Sequence, residues 1–143
     1  MSRSPFRGAV PDGLLYDPDH DMWVRRDGEE VVIGASAFGV FLAGEIIAFT
    51  SKPRGATVDF GRGMGTVECR KTVLAVHAPI SFILLAGNDE AEERPHLINA
   101  EPYGSGWMAR AQPTRWAEER SALMDAAGYR QHVLRIEPEA RLD

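Results

Sequence analysis

Cysteine is almost missing from this chain of 143 residues: Cys69 is the only one. A single thiol excludes an internal disulfide and fits a reducing compartment. It also leaves a zinc site short of ligands. The four histidines, His20, His77, His96 and His132, stand at no zinc-ligand spacing, so no metal is expected. Long hydrophobic runs are lacking, and no segment is expected to cross a membrane. An excess of positive charge is lacking too. The net charge of −5 argues against a nucleic-acid partner. No apolar stretch follows Met1 to Gly8, so a secretory signal is not expected and a cytoplasmic location is.

The chain is short of lysine in particular. Of its 16 basic residues 14 are Arg, and the two lysines are Lys52 and Lys71. Where only positive charge is wanted, this chain uses Arg. A lysine amine can lose its proton and act as a nucleophile, which a guanidinium essentially cannot. Lys71 lies between two strand-like runs, Met64 to Cys69 and Thr72 to His77, with Pro79 beyond. A tight turn at Arg70-Lys71 would put the amine at an exposed tip. From composition and position alone, Lys71 is either a solvated surface lysine or a site of covalent modification. On an ideal strand Cys69 would share its face.

What is present reads as one domain of ordinary globular composition, 44% hydrophobic and 26% charged, long enough to bury a core. Pro5, Gly8, Pro11 and Gly13 break any pattern at the start, so residues 1–13 are expected to be a flexible N-terminal arm and 14–143 a single domain. Met22 to Arg26 and Glu29 to Gly34 flank Asp27-Gly28, which predicts a hairpin with a type I′ turn. Ser36 is placed to cap a short helix that Gly44 ends. Further strands are expected at Glu45 to Thr50, Thr57 to Phe60, Ile83 to Ala86 and Trp107 to Ala111. Helical spacing then sets in over 114–137. Thr114 is expected to cap a helix over Trp116 to Met124, and Asp125 a second through Tyr129, Val133 and Leu134. The fold class is mainly β, with two C-terminal helices.

Gly61, Gly63 and Gly65 resemble a phosphate loop only superficially. No Gly-Lys-Ser/Thr follows, and Thr66 stands where a dinucleotide fingerprint needs glycine. No Gly-x-Ser-x-Gly elbow is present. Cys69 reads as a small buried hydrophobe.

From about residue 10 to 135 the chain resembles the glycine cleavage system H protein family of lipoyl carriers. The resemblance is carried by Pro11-Asp12, Tyr16, His20, Trp23-Val24, Ala43 to Ile47, Val58, Gly61, Gly65, Val67-Glu68, Lys71 and Pro79. Its most specific block is Asn99-Ala100-Glu101-Pro102-Tyr103-Gly104-Ser105-Gly106-Trp107. The resemblance implies a barrel-sandwich hybrid, the fold of lipoyl and biotinyl domains. It implies lipoic acid joined by an amide to Lys71, and a carrier subunit that is not itself an enzyme. Implied partners are a lipoate ligase or octanoyltransferase, then glycine decarboxylase, aminomethyltransferase and dihydrolipoamide dehydrogenase. Departures stand at Asp21-Met22, Cys69-Arg70, Thr72 and Phe82. The form of Phe49 to Pro53 is similar to H-like lipoate-binding proteins of a sulfur-oxidation system with heterodisulfide-reductase-like subunits. That system is the alternative reading, and a non-lipoylated H-like binding module is a further one. A biotin carrier is disfavoured, because Arg70 and Thr72 flank Lys71 where methionines are usual.

Overall fold

The computed structural model describes residues 4–143. Three sheets carry the fold. The largest has six strands: β2 (Leu15–Asp17), β3 (Met22–Asp27), β4 (Glu30–Ala35), β10 (Ala109–Pro113), β9 (Phe82–Gly87) and β6 (Thr57–Val58), in that spatial order. A three-stranded sheet joins β5 (Ile46–Ser51), β7 (Gly63–Cys69) and β8 (Val73–His77). All pairs in both are antiparallel. A small parallel pair joins β1 (Arg7–Gly8) to β11 (Arg141–Leu142). The helices are α1 (Ala37–Ala43), α2 (Asp89–Glu93), α3 (His96–Ala100), α4 (Trp116–Glu119) and α5 (Ala126–Ile136).

The two larger sheets share one core, the sandwich expected of this fold class. Val24, Ile33, Phe82 and Leu84 meet Ile46, Phe49, Met64, Val67 and Val76 inside it. The run Val31-Val32-Ile33 is apolar throughout because both faces of β4 are covered. Val31 and Ile33 face the sandwich core, whereas Val32 joins Trp23, Tyr16 and Tyr129 in a second core under α5.

The hairpin of β3 and β4 forms where Asp27-Gly28 indicates, but its turn is not type I′. Asp27 pairs with Glu30, so Gly28 and Glu29 are the central residues, and of the two only Gly28 has a positive φ, at 65°. Glycine at the first central position with an ordinary second residue is the type II′ pattern. Helix α1 is capped as expected. Ser36 Oγ accepts from the Gly39 N–H at 3.0 Å, and Gly44 ends the helix at φ 88°.

Two expectations fail for identifiable reasons. The described part of the presumed flexible arm, from residue 4 on, is packed; Met1 to Arg3 lie outside the described residues. Phe6 and Val10 are buried, and Phe6 sits 5.3 Å from Phe38 and 5.2 Å from Phe41. Arg141 N–H donates to Phe6 O at 2.8 Å, and Asp143 N–H to Gly8 O at 2.9 Å. Proline and glycine spoil local periodicity, but they do not stop two apolar side chains from finding a distant partner. The first C-terminal helix is also far shorter than its spacing predicts. Arg115, not Thr114, precedes α4, and its side chain makes no capping hydrogen bond. A 3₁₀ turn over Arg120–Ala122 follows, and Met124 then pairs with Tyr16 through two backbone hydrogen bonds of 2.8 Å. That bridge needs extended chain and ends the helix. Glu119 of α4 accepts from both N and Oγ of Ser81 at 2.7 Å, tying the segment to the sheet instead. Helix α5 follows with Asp125 Oδ1 accepting from Gly128 N–H at 2.8 Å, as expected.

The Asn99 to Trp107 block clamps the fold together. Asn99 accepts from Ile46 N–H and donates to Gly44 O, both at 2.9 Å, fixing the chain between α1 and β5. Tyr103 OH accepts from Ala37 N–H at 2.9 Å and donates to Ala9 O at 2.7 Å. Pro102 O accepts from Trp23 Nε1 at 3.0 Å.

Candidate functional site

The hairpin of β7 and β8 ends in the tightest loop it can. Cys69 and Thr72 exchange backbone hydrogen bonds of 2.8 and 3.3 Å, leaving only Arg70 and Lys71 between them. Among the described residues Asp21 is the only non-glycine with a positive φ, so both turn residues keep negative φ. Type I′ and II′ geometry is thereby excluded, and neither Asn nor Gly is needed. Arg70 Nε donates to Glu45 Oε2 at 2.7 Å, with both side chains largely in solvent. Such a pair adds little stability, but it draws Arg70 toward the start of β5. Lys71 is exposed, and among the described residues its amine has no hydrogen-bond or ion-pair partner.

Cys69 does not share the exposed face with Lys71, contrary to the ideal-strand reading. The strand ends at Cys69, which points into the core, and burial pushes its thiol pKa up. A thiol held protonated is a poor nucleophile.

Beside the tip runs a groove of about 530 Å³ between α1 and the hairpin, walled by Leu42, Ala43, Glu45, Lys71 and Leu74. Its surroundings are unusually apolar for a surface: Val73 is 61% exposed, Leu42 44% and Leu74 39%. Ala43 and Leu74 also line a second cavity of about 380 Å³, which places that cavity next to the tip groove. The cavity floor is apolar, with Met22, Val40, Val67, Ile98 and Met108. Its polar end carries Asp19, His20, Asp21 and His77.

That polar end is ordered by hydrogen bonds. His20 Nδ1 lies 2.7 Å from Asp17 Oδ2, and its ring stacks on His77 at 4.8 Å. His77 Nδ1 is 2.9 Å from Gly61 O; a carbonyl only accepts, so this nitrogen carries the proton. Asp21 Oδ1 accepts from Tyr129 OH at 2.7 Å. Burial is the largest influence on Asp21 and raises its carboxyl pKa, opposed by the Tyr129 hydrogen bond. No three His, Cys, Asp or Glu side chains gather to hold a metal among the described residues. Sequence reading weighed the histidines as metal ligands, and His20 as part of the family resemblance, but missed this cluster. His77 follows His20 by 57 positions, and Tyr129 follows Asp21 by 108, so no spacing could mark them.

Comparison with known proteins agrees with this geometry. The family model described as "Glycine cleavage H-protein" matches residues 14–136. The chain is 36% identical over 131 residues to the mitochondrial glycine cleavage system H protein of Oryza sativa subsp. indica, covering 92% of this chain and 79% of that one. It is 35% identical over 121 residues to the glycine cleavage system H protein of Magnetococcus marinus, covering 85% of each. The crystal structure of a glycine cleavage system H protein from Mycobacterium marinum superposes with a TM-score of 0.74 at 30% identity, over 85% of this chain and 96% of that one. These relatives favour glycine cleavage over the sulfur-oxidation reading. The chain belongs to the glycine cleavage H-protein family.

Proposed function

We propose that Lys71 is the attachment point of the lipoyl group and that the chain carries an aminomethyl cargo between the enzymes of glycine cleavage. Members of the family are lipoyl carriers in that system. The observation that carries the residue assignment is the placement of Lys71: a lysine on a two-residue turn whose amine has no partner among the described residues, in a chain whose only other lysine is Lys52. The site fits the group. An exposed amine can reach a ligase or octanoyltransferase, and the adjoining apolar groove suits an aliphatic arm. The deprotonated Nζ would attack an activated acyl carbonyl, form the amide and release the activating group.

When bound, the lipoyl group supplies reversible disulfide–dithiol chemistry and the thiol that holds the cargo. The chain's own residues supply placement. The hairpin tip keeps the arm's root at one point, which holds a high local concentration for each enzyme in turn. Met22, Val40, Val67 and Ile98 exclude water from what enters the cavity. Asp21 can accept a hydrogen bond from a cargo amine at the cavity's polar end. Catalysis resides in the partners: glycine decarboxylase, aminomethyltransferase and dihydrolipoamide dehydrogenase. The proposed setting is the cytoplasm. Among the described residues no helix is long and apolar enough to cross a membrane.

The test is intact mass after incubation with lipoate, ATP and a lipoate ligase. Wild type and Lys52→Arg should each gain one lipoyl group, and Lys71→Arg should gain none. Lipoylation of Lys71→Arg would refute the assignment. A wild type left bare where a known H protein is modified would favour a non-lipoylated binding module.

A further inference from the structure

The polar end of the cavity is held by the far end of the chain. Gly39 N–H donates to Ser36 Oγ at 3.0 Å, Ser36 Oγ lies 2.7 Å from Tyr129 OH, and Tyr129 OH lies 2.7 Å from Asp21 Oδ1. A carboxylate only accepts, so Tyr129 donates to Asp21 and Ser36 donates to Tyr129. The relay therefore runs one way, from α1 through α5 to Asp21. The Tyr129 ring is fully buried and stacked on Tyr16 at 4.6 Å with planes 3° apart, which leaves its hydroxyl no freedom to move.

Two further observations single out this spot. Asp21 has φ 57°, in the left-handed region that non-glycine residues seldom adopt. Its carbonyl accepts from Ser36 N–H at 2.9 Å, and Gly39 approaches so closely that a Cβ there would sit 2.7 Å from that oxygen. Strain kept in place by several contacts is a mark of functional sites. Separately, His132 Nε2 is buried, has no hydrogen-bond partner among the described residues, and lies 4.0 Å from Asp21 Oδ1. A buried polar atom left unpaired calls for an explanation, and a nearby carboxylate is one.

We propose that Tyr129 and His132 are positioning residues for cargo docking: from the C-terminal helix they hold the Asp21 carboxylate in the cavity as the anchor for a positively charged amine. This rests on the carrier reading above. The titratable groups facing Asp21 are Tyr129 and His132 from α5, and Asp17 and His20 from its own turn. Tyr129, His132 and His20 favour its charged form, while burial and Asp17 oppose it.

The first measurement uses the unlipoylated full chain, so it does not depend on the carrier reading. The Asp21 carboxyl carbon is titrated by NMR in wild type, Tyr129→Phe and His132→Gln. Tyr129→Phe keeps the stacked ring and removes only the donor. The Asp21 midpoint should rise by about one pH unit or more, the effect of losing a hydrogen bond to a charged acceptor. His132→Gln should raise it too, and provides the test if Tyr129→Phe does not fold. A purely structural tyrosine would lower the melting temperature and leave the midpoint where it was. The second measurement follows loss of the aminomethyl cargo from protein lipoylated on Lys71 and charged by glycine decarboxylase. Loss should be about tenfold faster in Tyr129→Phe than in wild type, with equal lipoylation by mass. Unmoved Asp21 midpoints in both variants, or equal rates of cargo loss, would overturn the inference. A wild type that cannot be lipoylated at Lys71 would sink the carrier reading, and the docking role with it, while leaving the Asp21 midpoint shifts intact.

Discussion

Phe6→Ala should destabilise the fold as much as a central core deletion, although Phe6 lies in the segment that sequence marks as an arm. The ring is 2% exposed and contacts two other rings, Phe38 and Phe41, both on α1. Truncating a buried Phe to Ala removes its transfer free energy and leaves a cavity, at a cost of about 3–5 kcal/mol. The expected loss is at least the lower end of that range, about 3 kcal/mol. For a domain of this size that corresponds to a fall in Tm of roughly 10 °C. Urea unfolding followed by tryptophan fluorescence reads the change through Trp23, which belongs to the same cluster. Ile136→Ala is the control: it is 52% exposed and should stay within about 0.5 kcal/mol. A loss below about 0.5 kcal/mol for Phe6→Ala would mean that the segment is loose in solution, and the packing argument would fall.

Gly106→Ala should cost about 1–3 kcal/mol or abolish folding, because a Cβ there would meet backbone: Leu97 O, Glu101 O at 2.7 Å and Ile98 Cα at 2.9 Å. Thermal unfolding against wild type checks it, and an unchanged Tm would refute the close approach. Asp21 should give the fold a pH dependence opposite to that of most carboxylates. Its pKa is raised in the folded state, so the folded chain holds the proton more tightly than the unfolded one. Its contribution is therefore most favourable below the unfolded-state pKa and is lost as pH rises through the folded-state value. Comparing Tm against pH for wild type and Asp21→Asn isolates this slope, and identical slopes would contradict it.

The fold was legible where local chemistry and burial agree. Ser36, Gly44 and Asp125 punctuate their helices as their side chains or conformational freedom require. The hairpin at Asp27-Gly28 was legible as a hairpin, but its turn type depends on which residues pair, and register is a property of two strands. Helix α4 was overestimated because the Tyr16–Met124 bridge joins segments more than a hundred positions apart, and it outweighs local spacing. The same limit governs the candidate site. Lys71 drew notice as one of two lysines beside 14 arginines and by its place between two strand-like runs, but composition and position left it either a surface lysine or a modification site, and only the family resemblance implied modification. The cavity did not, because Asp21, His77 and Tyr129 come together only through the packing of β8 and α5 around the first sheet.

Lysine is rare here, two of 16 basic residues, and the turn is what distinguishes the position that the proposal assigns to the arm. Exchanging the two turn residues, Arg70→Lys together with Lys71→Arg, keeps the charge, the loop length and the strand register. Stability should therefore hold, since the Arg70–Glu45 pair is 78% and 57% exposed and contributes little. What changes is the place of the amine. It moves one residue along the chain, about 3.8 Å at the backbone. It also inherits the neighbourhood of Glu45, whose carboxylate lies 2.7 Å from the Arg70 guanidinium. An ammonium held by Glu45 is drawn toward β5 and keeps its proton, whereas the native amine has no such partner among the described residues. Misplacing a reacting group by even about 1 Å can cost a hundredfold in rate, so acylation by a ligase should slow by about that factor. Time-resolved intact mass, with lipoyl donor in excess and wild type in parallel, measures the ratio. Acylation at the wild-type rate would show that the enzyme requires only an exposed lysine near the tip, and the geometric argument for Lys71 would fail.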